Sequence, residues 1–290
     1  MGTSSSYGGP KGTGGLLPPW ADDVPPPAPD AAGEGDDAPP APDKAGEGEN
    51  VPPADDAPNP QTPSATEWAV PKSNLSKWAR GNAGYSDSHG SLRSYVAASG
   101  GARGASAAAV SGRATARRLG GFLASVASGG FAEAARSLGI TDLVGRSISA
   151  VLAELVDRLT PDGALLEESV AREAAAMTLE ALFERLGVDA RGLAALDRVD
   201  LAVMEETLRE FVSNYVSERF LQMLGDCIDR GAVSAAQANT LYAEVRDVVT
   251  ETVKVDFEGK NLTQLDWSGA EAKGLIDGVF TTAYAFIEGL

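Results

Sequence analysis

The chain has 290 residues, a formal net charge of −17 at pH 7 and a single cysteine, Cys227. One cysteine excludes an intramolecular disulfide, and the lack of an apolar run of about 18 residues predicts no membrane span. No charged and apolar leader opens the chain, so the sequence predicts a cytoplasmic protein.

Proline content divides the chain into three predicted segments, because 16 of the 17 prolines lie at or before Pro71. Residues 1–24 form a Gly/Ser-rich N-terminal tail that ends in LLPPW, and residues 25–66 form a disordered Pro/Ala/Gly/acidic linker. Residues 67–290 are expected to fold as one all-α helical bundle domain.

The linker consists largely of a near-repeat, PPAPDAAGEGDDA from Pro26 followed by PPAPDKAGEGENV from Pro39. Such a repeat has no apolar face that neighbouring units could bury, which predicts disorder rather than a solenoid. A proline-stiffened linker of about 40 residues can extend to roughly 120 Å, at about 3.1 Å per residue. The tail is therefore expected to act at a distance from the helical domain.

Apolar residues recur at helical spacing from Glu67 onward, and no convincing strand pattern follows. The first clear helices are predicted over residues 91–99, 105–128 and 147–159. Three glycines weaken the second of these helices, and the pair at positions 129 and 130 ends it. The three weakening glycines are Gly112, Gly120 and Gly121.

Two longer helices follow, and each has a predicted core-facing stripe. The first runs from the turn at residues 160–163 to Gly187, and the second covers about Asp200 to Asp229. The stripe of the first contains Leu166, Val170, Ala174, Met177, Leu182 and Leu186. The stripe of the second contains Leu201, Met204, Leu208, Val212, Tyr215, Phe220, Met223 and Cys227.

Two capping boxes are predicted to start the last two helices. Ser234 pairs with Gln237, and Ser268 pairs with Glu271, in the spacing that satisfies the free amides of a first helical turn. Together with the apolar spacing behind each serine, these boxes complete the all-α prediction.

Few residues are available for catalysis or for a metal site. Zinc centres and catalytic triads usually need several histidines or cysteines, whereas this chain has only His89 and Cys227. His89 lies in a polar stretch typical of an exposed loop or helix entry, and the helical stripe predicts a buried thiol for Cys227. The phosphate-binding motif GxxxxGK[ST] and the dinucleotide-binding motif GxGxxG are both absent from the sequence. The sequence predicts no catalytic residues, no metal and no cofactor of its own.

The charge is unevenly distributed, with balances of −10 over residues 1–70, +7 over 71–120 and −14 over 121–290. The basic segment, residues 72–118, supports an alternative function as a nucleic-acid or effector-binding adaptor. The competing interpretation is an ordinary charged helix face, or a patch that contacts the chain's own acidic residues. The candidate nucleic-acid contacts are Arg93, Arg103, Arg113, Arg117 and Arg118.

The chain begins with MGTSSSYGGPKG, a combination from which the initiator methionine is normally removed to leave Gly2 with a free amine. Free α-amino groups have pKa values of about 8, so an appreciable fraction is neutral and nucleophilic near neutral pH. The same start fits a myristoylation pattern, but no second membrane signal lies close by, which disfavours lipidation.

The head MGTSSSYGGPKG with LLPPW, together with GGFLASVASGGFAEAARSLGI and LVDRLTPDGALLEESVAREA in the helical body, resembles the QatB family. That family is a component of the bacterial Qat anti-phage defence system. The resemblance covers the first 20 residues and much of 67–290, but not the linker. The system also contains an ATPase, a TatD-like nuclease and QatC, which is similar to enzymes that make 7-cyano-7-deazaguanine.

The resemblance implies a non-enzymatic partner or protein substrate of QatC, with the ATPase and the nuclease as further candidate partners. By analogy with related QueC-like defence enzymes, Gly2 is the implied site of conjugation to a 7-deazaguanine. ATP and a 7-deazaguanine precursor are then expected in the partner enzyme. The residues implied to bind QatC are Gly2, Thr3, Ser4, Ser5, Ser6, Tyr7, Gly8, Gly9, Pro10, Leu16, Leu17 and Trp20.

Overall fold

Helices account for the regular secondary structure of the residues that the computed structural model describes, and no strand occurs among them. These residues are 68–80, 88–141, 143, 145–163, 165–231, 234–257 and 259–290, with only the backbone described for 226–231. The all-α prediction is therefore confirmed for this part of the chain. The predicted tail and linker, and the Cys227 side chain, lie outside it.

Eleven α-helices and one 3-10 helix at Leu193–Arg198 are found in the described ranges. The α-helices are α1 Ala69–Ala79, α2 Ser88–Ala98, α3 Gly101–Ala108, α4 Val110–Gly129, α5 Phe131–Ser137, α6 Ile148–Leu159, α7 Leu166–Leu186, α8 Val188–Arg191, α9 Leu201–Gly231, α10 Ala235–Thr252 and α11 Ala270–Glu288.

The core forms around α9, which packs against α7, α10, α1 and α4. Helix α11 runs antiparallel to α3 and α4. Its last turn lies beside the start of α3, and the residues just before its first turn lie beside the middle of α4. Four contacts fix this register: Ala102 with Glu288, Ser106 with Thr281, Arg113 with Asp277, and Gly120 with Trp267.

The predicted helix over 105–128 is in fact two helices, because the chain leaves helical geometry at Ala109, where φ is −84° and ψ is 52°. The break gives α4 its own N-terminus. The Glu167 carboxylate then accepts hydrogen bonds from the amides of Ser111 and Gly112 at that end. A partner so distant in the chain cannot be predicted from the local helix pattern.

The glycines that weaken α4 as an isolated helix are required by its packing. A Cβ atom on Gly112 would lie 2.5 Å from the ring of Tyr215, and one on Gly120 would lie 2.2 Å from the ring of Trp267. Both distances are far below contact distance, so an aromatic ring fills each space that the missing side chain leaves.

Both predicted stripes are largely buried, but the first residue of each is not. Leu166 is 71% exposed and Leu201 is 38% exposed, so these two predictions are wrong. Each residue occupies the first position of its helix, before the helix has turned onto the core. Met177 and Met223 are half-buried, and the other stripe residues whose side chains are described are buried.

Only half of one predicted capping box is confirmed. The Ser234 hydroxyl accepts a hydrogen bond from the Gln237 amide, but the Gln237 side chain donates instead to the carbonyl of Ala79 at the end of α1. The Ser268 box is wrong, because the Ser268 hydroxyl donates to Asp266 and α11 begins two residues later. Sequence reasoning missed a reciprocal bond at α7, where the Glu168 carboxylate accepts from the amide of Leu165.

An extended segment between α10 and α11 was not anticipated either. Val253, Val255 and Phe257 are buried, while the residues between them are exposed. The Val255 carbonyl accepts a hydrogen bond from the Arg209 guanidinium of α9 at 3.0 Å. Residues 253–257 are thus buried at every second position and bound to the core, although no strand pairs with them among the described residues.

We expect Gly112→Ala to lower the free energy of unfolding by about 1–3 kcal/mol, because the new methyl group would overlap the Tyr215 ring. Gly278→Ala is the matched control: it also lies inside a helix, but a Cβ there meets nothing within 4 Å. The control is expected to be neutral or to stabilise by up to about 1 kcal/mol through helix propensity. Urea unfolding of both variants provides the measurement, and equal effects would contradict the packing argument.

Candidate functional site

The residues implied to contact a partner enzyme, Gly2 to Trp20, lie outside the described residues, so that prediction stays a prediction. His89 lies exposed in the first turn of α2, as its polar surroundings indicate. No group of three or more potential metal-ligating side chains occurs in the ranges that the structure covers. Among the described helices, none has the length and hydropathy that a bilayer-spanning helix needs.

The candidate nucleic-acid contacts differ in their surroundings. Arg93, Arg103 and Arg118 are exposed and Arg117 is half-buried, and none of the four makes an ion pair or side-chain hydrogen bond to any described residue. Arg113 is different, because its guanidinium is 2.7 Å from the Asp277 carboxylate and thereby joins α4 to α11. Four of the five predicted contacts are therefore sterically available.

Ion pairing is much more extensive in the later part of the chain. Six arginines between residues 130 and 250 contact carboxylates in the described structure, and for three of them the carboxylate lies on a different helix. They are Arg136, Arg146, Arg158, Arg172, Arg185 and Arg246. Among the described residues, Arg93, Arg103, Arg117 and Arg118 thus lack the carboxylate partners that these six arginines have.

Helices α3, α4 and α5 start without a side-chain cap of their own. The residues before α3, α4 and α5 are Gly100, Ala109 and Gly130, and none supplies an oxygen to the first-turn amides. Those amides would cost free energy if they were left without acceptors.

Carboxylates from distant parts of the chain supply the missing acceptors. Glu288 accepts from the Ala102 amide at 3.2 Å, and Asp197 accepts from the Phe131 amide at 2.7 Å. Glu167 accepts from Ser111 and Gly112 at 2.9 and 3.0 Å. We refer to Glu167, Asp197 and Glu288 as the capping carboxylates. Each places a negative charge at the positive end of a helix dipole, which favours the interaction further.

Glu167 also belongs to a buried polar cluster, here named the tyrosine cluster, that joins α2, α7, α9 and α11. Its members are Tyr95, Glu167, Tyr215, Arg219 and Tyr284. The Tyr215 hydroxyl donates to the Glu167 carboxylate at 2.6 Å.

Burial is the main reason why the pKa values of the three tyrosines are raised. It raises the pKa of Tyr215 well above its ordinary value, and the nearby Tyr284 and the Glu167 carboxylate raise it further. Burial likewise raises the pKa values of Tyr95 and Tyr284, although the Arg219 guanidinium acts in the opposite direction on both. All three hydroxyls therefore remain neutral donors at physiological pH. The cluster is suited to holding four helices together rather than to proton transfer.

Two open grooves lie on the surface of the body. One, of about 450 Å³, is bounded by α11 and by Val255, Asp256 and Lys260, and the Lys260 and Glu271 side chains form an ion pair at its edge. The other, of about 460 Å³, lies between α7, α9 and α10, where Val170, Leu221 and Tyr242 line it. Neither groove was anticipated from the sequence, and the second is formed by helices that are far apart in the chain.

Comparison with known proteins identifies one family. Residues 100–287, which run from the start of α3 to the last turn of α11, match the family model described as "QatB: Qat anti-phage system associated protein QatB". No curated protein and no solved structure matches the chain.

We expect Glu167→Gln to lower the free energy of unfolding by about 1–3 kcal/mol, because a neutral amide replaces a carboxylate that accepts two backbone amides and a buried hydroxyl. Glu180→Gln is the matched control, since Glu180 lies exposed on the same helix and makes no ion pair or side-chain hydrogen bond to a described residue. Urea unfolding of both variants is the measurement. An equal, small effect would show that the cap contributes little.

Proposed function

The chain belongs to the QatB family of Qat anti-phage system associated proteins, and on this premise we propose that it is a non-enzymatic, cytoplasmic subunit whose N-terminal tail is bound by the QueC-like partner QatC. We further propose that Gly2 is the site at which QatC conjugates a 7-deazaguanine. The family match over residues 100–287 is the observation that carries the proposal.

The described body supports a role as scaffold. Its polar interior is used for structure: the capping carboxylates satisfy helix starts, and the tyrosine cluster joins four helices. In this proposal the partner enzyme therefore carries out the reaction. The body holds the tail through a linker of about 40 residues, which can extend to roughly 120 Å.

The head of the tail has the composition that entry into a narrow site requires. Residues 2–6 are Gly-Thr-Ser-Ser-Ser, which combine small size with hydroxyls and backbone amides for hydrogen bonding. Farther along, Tyr7, Leu16, Leu17 and Trp20 can contribute apolar burial at about 25 cal/mol per Å², from which the cost of ordering the tail is subtracted.

The proposed reaction joins the Gly2 amine to a deazaguanine carboxylate. ATP cleavage in the partner activates the carboxylate, the neutral amine attacks its carbon, and an amide bond forms. The displaced carboxylate oxygen leaves with the cleaved nucleotide, and the amine loses a proton. The chain itself contributes only the nucleophile and the segment that positions it.

A second candidate function, a nucleic-acid or effector-binding adaptor, is favoured by one specific observation. Arg93, Arg103, Arg117 and Arg118 have no carboxylate partner among the described residues, unlike the six arginines that pair between residues 130 and 250. Cationic groups free of intramolecular pairing are available for phosphates.

For the leading proposal, we expect intact-mass spectrometry of the full chain, co-expressed with QatC and with its deazaguanine precursor supply intact, to show an adduct on the N-terminal glycine. Gly2→Glu is the matched control, because a large second residue blocks removal of the initiator methionine and hides the amine. An unmodified terminus in the wild-type sample would overturn conjugation. Undiminished co-purification of QatC with a chain lacking residues 2–20 would overturn tail binding.

For the second candidate, we expect the double substitution Arg117→Glu/Arg118→Glu to weaken binding to a DNA or RNA duplex and to reduce the slope of log affinity against log salt by about 2. Arg191→Glu/Arg198→Glu makes the same charge change at two exposed positions outside the basic segment. Fluorescence anisotropy over a salt series is the measurement. Equal binding by the two variants would remove this function.

A further inference from the structure

Helix α11 carries no charged residue over the stretch 278–287, although one side of this stretch is exposed in the described structure. The Phe286 side chain on that side is 40% exposed. A helix that is uncharged all round is normally covered on all sides. We name the uncharged residues on this side of the helix the α11 face; they are Gly274, Leu275, Gly278, Thr282, Ala285 and Phe286. The composition of α11 therefore indicates that a further surface covers the α11 face.

The two halves of the α11 face differ in shape. The first half lines the groove of about 450 Å³, where a Cβ atom on Gly274 or Gly278 would meet nothing within 4 Å. These two glycines lower helix propensity without accommodating a ring of their own chain, unlike the glycines of α4. The second half instead exposes the Phe286 ring. One half thus offers a hollow and the other offers an aromatic side chain.

The charges of α11 are unpaired only near its two ends. The other two charged side chains of the helix pair within the chain, Glu271 with Lys260 and Asp277 with Arg113. Lys273, near the start, makes no ion pair with a described residue. Glu288, in the last turn, makes none either, and its Oε2 atom accepts only the Ala102 amide. The helix therefore carries an available cation at one end and an available carboxylate oxygen at the other.

We propose that α11 pairs with α11 of a second copy of this chain, in antiparallel orientation about a twofold axis at the level of residue 280. Residues equally far from position 280 on either side then lie beside each other, so that Phe286 meets Gly274 of the second copy and Thr282 meets Gly278. Phe286 follows the groove residue Leu275 by about three helical turns and lies on the same side of α11. The Phe286 ring of each copy therefore enters the groove of the other.

Charge complementarity favours this orientation over a parallel one. The antiparallel register places Lys273 of one copy beside Glu288 of the second copy, whose Oε1 atom accepts no hydrogen bond from a described residue. A parallel pair would place the two lysines beside each other. Because the glycines permit a close interaxial distance of about 8 Å, the lysine side chain can reach the carboxylate. Each contact occurs twice, as in any isologous interface.

The acidic net charge of the chain is compatible with this contact. Charges farther apart than about 8 Å are largely screened at physiological ionic strength. The dimer carries two N-terminal tails on one assembly. The inference concerns the helical body alone and does not depend on conjugation at Gly2.

Sedimentation equilibrium of the full-length chain tests the proposal, with circular dichroism to verify that each variant folds. We expect a monomer–dimer equilibrium that Phe286→Ser and Gly274→Leu each weaken at least about tenfold, because one removes the ring and the other fills its hollow. Lys273→Glu should also weaken it, whereas Arg191→Glu makes the same charge change at an exposed position outside the α11 face. A chain that stays monomeric at about 100 µM overturns the proposal, and so does a dimer that Phe286→Ser leaves unchanged.

Chemical crosslinking locates the contact independently. In a Cys227→Ser background, Thr282→Cys places two thiols near the twofold axis, about 8 Å apart, within reach of a short bismaleimide. Thr240→Cys, at an exposed position of α10, is the matched control. We expect at least about tenfold more crosslinked dimer with position 282, and equal yields would overturn the proposal. Neither assay contains QatC, so their failure leaves the proposed function intact.

Discussion

The unsatisfied amides at the start of a helix are the constraint on which this fold depends. Glu167, Asp197 and Glu288 satisfy them for α4, α5 and α3 from positions 56, 66 and 186 residues away. Residues that cap helices usually precede them in the chain and contribute about 0.5–2 kcal/mol each. Here the caps come from other helices, so the same bonds that start three helices also join distant segments. Local and tertiary structure are thereby stabilised together.

Helix α4 illustrates how this coupling extends to packing. Its start depends on Glu167, its first turn accommodates the Tyr215 ring against Gly112, and its middle accommodates the Trp267 ring against Gly120. Tyr215 in turn donates to Glu167, so one carboxylate supports both the helix and the ring that packs on it. The same two glycines that weaken α4 as an isolated helix also allow the two aromatic rings to pack against it.

The sequence predicts the longer helices because their apolar spacing is a local signal, but it does not predict α1, α5 or α8. It predicts the ends less well: Leu166 and Leu201 continue the spacing of their stripes but lie in the first turn, where the helix has not yet reached the core. The start of α4 after the break at Ala109 depends on a distant partner, Glu167, whereas the turn before α11 is local, because Asp266 accepts from the Ser268 hydroxyl two residues later. The groove between α7, α9 and α10 has no sequence signal, because three separate helices build it, whereas the proposed role of Gly2 comes from family resemblance rather than from geometry.

The capping carboxylates also impose an order on the appearance of structure during synthesis. Each of them is translated after the helix that it caps, and for α3 the interval is 186 residues. Until those residues have been made, the first-turn amides of α3, α4 and α5 lack these acceptors, and the glycines of α4 lack the rings that pack on them. Because their stabilising contacts are so remote in sequence, these N-terminal helices gain their final stability only once α7, the 3-10 helix and α11 have emerged. In this protein, three helices that are translated early are completed by residues that are translated later.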